Sequence, residues 1–338
     1  MKLLSVIIPT YNMAKYLNRC LDSLVVDPLL SDLLEVIVVN DGSKDDSSAI
    51  AHEYQTKYSD VFRVIDKENG NYGSCVNRGI KECTGKYVKV LDSDDYFNTL
   101  QFSKYIEQLK DAESDLVLTD YSIVYTNSEK KENRSFDFEA DKVHRIGDVC
   151  CEPSFLKMEM HAITYKVDVL KSINYTQTEG ISYTDQEWIF TPMSAVKSVL
   201  YMKYNVYQYV MGRVGQTVDE SSYRKNIEQL LKVALSQTRT FASVKHSVSK
   251  SQYDYLHTKL MLTLGNTYRR FLLKEGYPIS KLPSFDREIA EIDNEIYAEL
   301  DTISLYGLHF YIKHYHETEE PSAFPIRKIY QLGKRLFA

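Results

Sequence analysis

The sequence predicts an α/β fold: a mostly parallel sheet flanked by helices, followed by a C-terminal helical region. Three observations carry this. Strand-like apolar runs alternate with helical segments up to about residue 125, each run stops at a polar loop, and past about Ser221 only helical periodicity remains. Taken in order, Leu3 to Ile8 is a continuous apolar, β-branched run that stops at Pro9-Thr10-Tyr11-Asn12, as a buried strand ending in a loop should. Met13 to Val26 reads as a helix. Glu35 to Asn40 is a second buried strand ending in Asp41-Gly42-Ser43, and Asp45 to Tyr58 has helical periodicity. Phe62 to Asp66 is a third strand, and the segment ENGNYG leads into a helix reaching about Cys83. Lys86 to Leu91 is a fourth strand, ending in Asp92-Ser93-Asp94-Asp95, and Asp115 to Tyr125 a fifth. Right-handed crossovers between such strands cover both faces of the sheet and gather its polar loops at the carboxyl edge, where open α/β sheets bind ligands.

The length of 338 residues, 43% hydrophobic and 12% aromatic, supports a large core and a second unit. The expected division is 1–220 for a catalytic, nucleotide-binding domain and 221–338 for the helical region. A formal charge of -6 gives no footprint for nucleic acid. Five cysteines, odd in number and without zinc spacing, fit a reducing cytoplasm. The N-terminus lacks the tripartite pattern of a signal peptide, and no apolar stretch approaches the roughly 20 residues of a membrane span.

Neither a GxGxxG after the first strand nor a P-loop is present, so the usual phosphate cradles are missing from the loop-rich edge. Asp92 and Asp94, two apart in an acidic turn, suit a hard cation that takes carboxylate and phosphate oxygens, Mn²⁺ or Mg²⁺. Taken singly, each piece has an ordinary alternative. Asp94 or Asp95 could cap the following helix, Asp41 could be a turn residue, and Thr10 and Tyr11 could fill a loop.

As a set, strand-PTYN, strand-VNDGS, ENGNYG with Asn77 and Gly79, and GKYVKVLDSDD resemble the family 2 glycosyltransferases of the GT-A, Rossmann-like fold. The resemblance covers residues 3 to 125 and continues more loosely to about 220. It implies that Pro9, Thr10, Tyr11 and Asp41 hold the nucleoside of a nucleotide-sugar donor, with Asn69 and Ser93 also in contact with it. It implies that Asp92 and Asp94 carry the metal on the donor diphosphate, and that the general base lies in GISYTDQEW, where Asp185 is the candidate and Glu187 the competitor. The family often has Glu at Thr184, Gly at Asn71 and Arg at Val76. Arg213, in the segment Tyr207 to Val218, is a candidate for neutralising diphosphate. The QxxRW pattern of processive synthases is absent, which favours single addition.

The chemistry asks for the same groups. A cation offsets negative charge on the departing phosphate, a carboxylate takes the acceptor hydroxyl's proton, and one in-line displacement inverts the anomeric centre. The resulting expectation is an inverting hexosyltransferase that uses UDP-glucose or UDP-galactose and acts on a glycan, lipid-linked glycan or glycoprotein. The alternatives are a non-catalytic nucleotide-sugar-binding or assembly subunit and a sugar nucleotidyltransferase. In the second half, Ile227, Leu230, Leu231, Ala234 and Leu235 form one helical stripe, with further helices expected over Gln252 to Lys274 and Asp286 to Leu300. The end of the chain sets Arg327, Lys328, Lys334 and Arg335 among apolar residues, a basic amphipathic pattern that suits peripheral contact with the inner membrane face or with another subunit in a homo-oligomer. His161 precedes AITYKV, and a late histidine or carboxylate completes the metal shell in some family members; the sequence leaves its role open.

Overall fold

The strand Leu4–Thr10 (β1) lies fully buried between Leu34–Asn40 (β2) and Tyr87–Val90 (β4), which explains its unbroken apolar character. β2 pairs in turn with Phe62–Asp66 (β3), and all three pairings are parallel. The first strand runs two residues past its expected end, through Pro9. The ladder tolerates this because the Ile7 carbonyl accepts from Leu91, so Pro9, two residues on, faces β4 beyond the last paired residue, Val90. The missing N–H therefore costs no ladder bond.

The computed structural model describes residues 2–213, 216, 220–322, 326, 328 and 330. Within them, ten strands form one sheet in the order β3-β2-β1-β4-β9-β6-β10-β5, with β7 on β6 and β8 on β10. The added strands are Tyr96–Phe97 (β5), Leu116–Tyr125 (β6), Lys131–Arg134 (β7), Val143–Arg145 (β8), Ile163–Lys166 (β9) and Ser198–Met211 (β10). β6 and β10 are parallel to each other, whereas β9 runs antiparallel to both β4 and β6. The expected parallel half is thus joined to a mixed half, and the fold is α/β of the GT-A type. Of the added strands, β9 changes the carboxyl edge most. A reversed strand delivers its beginning, not its end, to the carboxyl edge of its neighbours, and so brings residues 159–163 beside the loop after β4. The register of β10 shifts between Met202 and Tyr207, and such irregularities re-aim side chains near sites.

Helix Asn71–Glu82 packs on β1 at Gly79, where an added Cβ would sit 2.5 Å from Ile7 Cγ2, so only glycine permits the approach. The first helix, Ala14–Asp22, is shorter than expected: the Ser23 N–H still reaches the Arg19 carbonyl, but Leu24 and Val25 tighten to the Leu21 and Asp22 carbonyls, and the Ser23 carbonyl accepts from Thr99 Oγ1.

The chain divides into two compact units, Met1–Gln216 with Ser249–Gln252, and Thr217–Val248 with Tyr253–Ala338. In the second, helices Ile227–Val244 and Lys250–Leu273 bury Ile227, Leu231, Ala234 and Leu235, and Leu256, Leu260, Leu264 and Tyr268, on four-residue spacings. Leu230, expected on the first stripe, is only half-buried. The helix expected over Asp286 to Leu300 is two helices, Leu282–Ile292 and Asn294–Glu299, because the Asp293 carboxylate caps the second by accepting from the Glu295 and Ile296 N–H groups. No helix of the described residues is long and apolar enough to cross a membrane. Arg327, Lys334 and Arg335 of the basic tail, and residues 214, 215, 217 and 218 of the segment after β10, lie outside the described residues.

Candidate functional site

The acidic turn after β4 is the centre of the site. The Asp95 N–H closes it onto the Asp92 carbonyl at 3.0 Å, and the helix that follows, Thr99–Leu109, is capped by Asn98 and not by Asp94 or Asp95. The acids are therefore released from capping, and each has its own partner. Asp92 Oδ1 accepts from the Tyr72 hydroxyl at 2.7 Å. Asp94 is ion-paired with Arg213, whose guanidinium lies 5.5 Å from the Tyr16 ring centre. Asp95, almost fully buried, accepts from Tyr207 Oη at 2.8 Å and from the Val210 N–H at 2.7 Å.

Burial, and then the neighbouring Asp94, push the Asp92 carboxyl up to about 6, against the pull of His161 and Tyr72. Burial and the same crowding hold Asp95 well above the usual carboxylate range. So many acids in one dry place create a standing demand for a cation. His161 approaches the turn from the other side. Ligand atoms of Asp92, Asp95 and His161 lie within 4.8 Å of one another. The imidazole Nδ1 is buried without a hydrogen-bond partner among the described residues, its nearest acid being Glu159 Oε2 at 3.4 Å. The ring stacks on Tyr209, with centroids 4.3 Å apart, and meets Tyr207 edge-on at 4.7 Å. One imidazole nitrogen and two carboxylates converging within 4.8 Å of one another fit a divalent cation.

Asp185 opens the helix Asp185–Phe190 as a first-turn acid and is half-buried. Burial pushes its carboxyl up, while the Gln186 amide at 3.0 Å and the nearby His161 pull it back. Its charge in turn helps raise Asp92, which places the two carboxylates in one electrostatic neighbourhood. The competitor, Glu187, is occupied: its two oxygens accept from the Thr178 N–H and hydroxyl, each at 2.7 Å. Thr184, where the family often has Glu, is buried and donates to Gln177 Oε1 at 2.9 Å.

The remaining expected residues divide. Thr10 and Pro9 are buried in β1, with Thr10 Oγ1 donating to the Ile8 carbonyl, whereas Tyr11 is 46% exposed beyond the strand end. Asp41 is a hub for the loop after β3. Its carboxylate accepts from Lys67 Nζ at 2.5 Å and from the Gly70 and Asn71 N–H groups, both at 2.9 Å. Its carbonyl accepts from Asn69 Nδ2 at 3.0 Å. Asn71, at φ 65, occupies the left-handed region, a conformation that glycine or asparagine accepts. Ser93 is buried within the acidic turn. The structure thus gathers Asp92, Ser93, Asp94, Asp185 and Arg213 around the turn, and sets Asp41 and Asn69 in the neighbouring loop. It adds Asp95, Tyr72 and Tyr207, and places beside them the His161 whose role the sequence left open. Tyr72 sits inside ENGNYG without a role, and Asp95 inside DSDD was visible only as a possible helix cap. Tyr207 carried no signal.

The sequence profile described as "Glycosyl transferase family 2" matches residues 5–173, half of the chain. The chain belongs to this family. Among curated relatives, the uncharacterized glycosyltransferase MG025 of Mycoplasma genitalium is 42% identical over 104 residues, 30% of this chain and 35% of that protein. EpsJ of Bacillus subtilis, an uncharacterized glycosyltransferase, is 38% identical over 115 residues, 34% of this chain and 33% of its own length. The minor teichoic acid biosynthesis protein GgaB of Bacillus subtilis is 24% identical over 324 residues, 92% of this chain but 34% of that protein. The chain therefore spans about a third of the length of each. The crystal structure of S. aureus TarS 1–349 in complex with UDP-GlcNAc superposes with a TM-score of 0.67 at 21% identity, covering 95% of this chain and 88% of that one. The fold is shared along nearly the whole chain.

Proposed function

We propose that this protein is a metal-dependent, inverting glycosyltransferase that moves a hexose from a uridine diphosphate sugar to an acceptor hydroxyl. The observation that carries the reading is the convergence of Asp92, Asp95 and His161 on one point beside Asp185. Mn²⁺ or Mg²⁺ held by Asp92 and His161, with Asp94 or Asp95, would offset the charge that builds on the leaving diphosphate. Pro9, Thr10, Tyr11, Asp41, Asn69 and Ser93 receive the nucleoside and ribose at the ends of β1, β2, β3 and β4. Arg213 exchanges its pairing with Asp94 for the diphosphate when donor binds. Asp185 removes the acceptor proton, and its raised pKa makes it a better base than an ordinary surface carboxylate. With one base and no second nucleophile in use, a single displacement inverts the anomeric carbon.

UDP-glucose and UDP-galactose are the leading donors, and the UDP-GlcNAc held by TarS makes that sugar the next to try. The name of GgaB supports a polymeric or lipid-linked glycan acceptor, within a class that also includes glycoproteins. Residues 1–220 form the catalytic domain in this reading, and 221–338 contribute acceptor, homo-oligomer or peripheral membrane contacts at the cytoplasmic face. The test is release of UDP from each of the three donors, with Mn²⁺ or with chelator, in the presence of a crude glycolipid acceptor fraction. One donor should be turned over, and only with metal. Turnover unaffected by chelator would remove the metal from the reading.

A further inference from the structure

Lys89 stands inside the apolar strand β4, where a lysine is costly. It is paired with Val6 of β1 on one side, and its side chain is 0% exposed. Burial pulls the amine's pKa down to about 7 and would favour methionine or leucine at this position, so the lysine calls for a reason. No carboxylate pairs with it among the described residues. Instead, Nζ donates to two backbone carbonyls, those of His161 at 2.8 Å and Ile163 at 3.1 Å. These carbonyls flank Ala162 at the junction of the single 3₁₀ turn Met160–Ala162 with β9. The β4–β9 ladder has paired residues only at Tyr87↔Lys166 and Val88↔Tyr165, so the Lys89 side chain continues the attachment where the backbone pairing ends. The turn itself has no side-chain cap. Beyond Val88 the Lys89 amine bonds this turn to β4, and one of the carbonyls it grips belongs to the residue whose imidazole lies with Asp92 and Asp95.

We infer that Lys89 is a positioning residue for metal capture, fixing through the 161–163 backbone the place from which His161 reaches the acidic turn. The inference rests on the metal reading of the site and names a device within it: the acids and the histidine come from different strands, and Lys89 ties one strand to the other. Partners that orient a metal ligand from behind are commonly worth about 10- to 100-fold in metal affinity.

The experiment is calorimetric titration of Mn²⁺ into the full chain for wild type, Lys89→Met, Lys89→Gln, His161→Ala and the Lys89→Met/His161→Ala double variant, with a thermal melt of each. Lys89→Met should weaken Mn²⁺ binding by about tenfold or more, and should add no further loss in the His161→Ala background, because both act through the same ligand. Lys89→Gln, which keeps a donor, should recover part of the affinity, and it carries the test should Lys89→Met fail to fold. Wild-type affinity in both Lys89 variants, or losses at Lys89 and His161 that add, would overturn the inference and leave the metal reading standing. A wild type that does not bind Mn²⁺ would overturn both.

Discussion

The two acids at the start of helix Asp185–Phe190 separate chemistry from stability, and conservative amides test this. Asp185→Asn keeps shape and removes the proposed base. A positioned general base contributes about 10²- to 10⁴-fold, so transfer should fall by that factor, about 3–5 kcal/mol of barrier. Stability should not fall. The carboxylate takes its hydrogen bond from its sequence neighbour Gln186 and not from a distant element. Its folded pKa is raised by burial, so the ionised form is disfavoured in the fold. The sign follows from linkage: a raised carboxylate stabilises the fold at low pH and loses that contribution as pH rises through its folded value, and at neutral pH asparagine removes the penalty. Glu187→Gln should do the reverse. It weakens two charge-assisted bonds to Thr178 in a buried position, at a cost of about 2–4 kcal/mol of folding stability, while per-molecule turnover of the folded enzyme stays within a few-fold. The assay is steady-state transfer beside denaturant unfolding for both variants. Full transfer by Asp185→Asn, or loss of transfer by Glu187→Gln at wild-type stability, would refute the assignment.

Burial pulls the His316 imidazole down, but Asp286 and Asp301, the latter at 2.6 Å, outweigh it and hold its pKa above the ordinary histidine range. Its contribution to stability is thus full below about pH 6.5 and is lost as pH rises through the folded value; urea midpoints should fall over that interval in wild type and stay flat in His316→Gln. Gly79→Ala should destabilise the fold by about 1–3 kcal/mol in denaturant titration, since the new methyl group would sit 2.5–2.8 Å from Ile7 side-chain carbons. An unchanged midpoint would mean that helix and strand can separate at no cost.

β1 and β2 were legible because parallel strands buried on both faces read as nearly unbroken apolar runs, β3, β4 and β6 from shorter apolar stretches, and the helices after β1, β2 and β3 from their periodicity, while the helix Thr99–Leu109 went unread; each strand led by a simple rule to a loop at the carboxyl edge. That rule finds Asp41 and Asp92. It is blind to His161, which reaches the same edge from the beginning of a reversed strand only four residues long, ITYK. β10 went unread as a strand because its apolar residues are interleaved with Lys203, Asn205 and several tyrosines, and register shifts break its alternation. Lys89 shows the same limit from another side: within KYVKVL it looks like the polar face of an alternating strand, and only the fold reveals that both faces are covered. In the helical half, periodicity continued across Asp293 although the chain did not, since a capping carboxylate ends one helix and starts the next without interrupting the apolar spacing. The division of labour between Asp94 and Asp95 also lay beyond the sequence, because it depends on Arg213 and Tyr207, more than a hundred residues away along the chain.

The central claim is that nucleotide and metal are bound together at the acidic turn. The most direct measurement is thermal and calorimetric binding of UDP, GDP and TDP, each with Mn²⁺ and with chelator, to wild type and Asp92→Asn. A ligand bound only by the folded state stabilises it by about 2.7 kcal/mol at a hundredfold excess over its dissociation constant. The expected result is that UDP stabilises the wild type with Mn²⁺, that chelator removes most of the effect, and that Asp92→Asn abolishes the metal-dependent part. Stabilisation by no nucleotide under either condition would contradict the account and favour a non-catalytic assembly subunit.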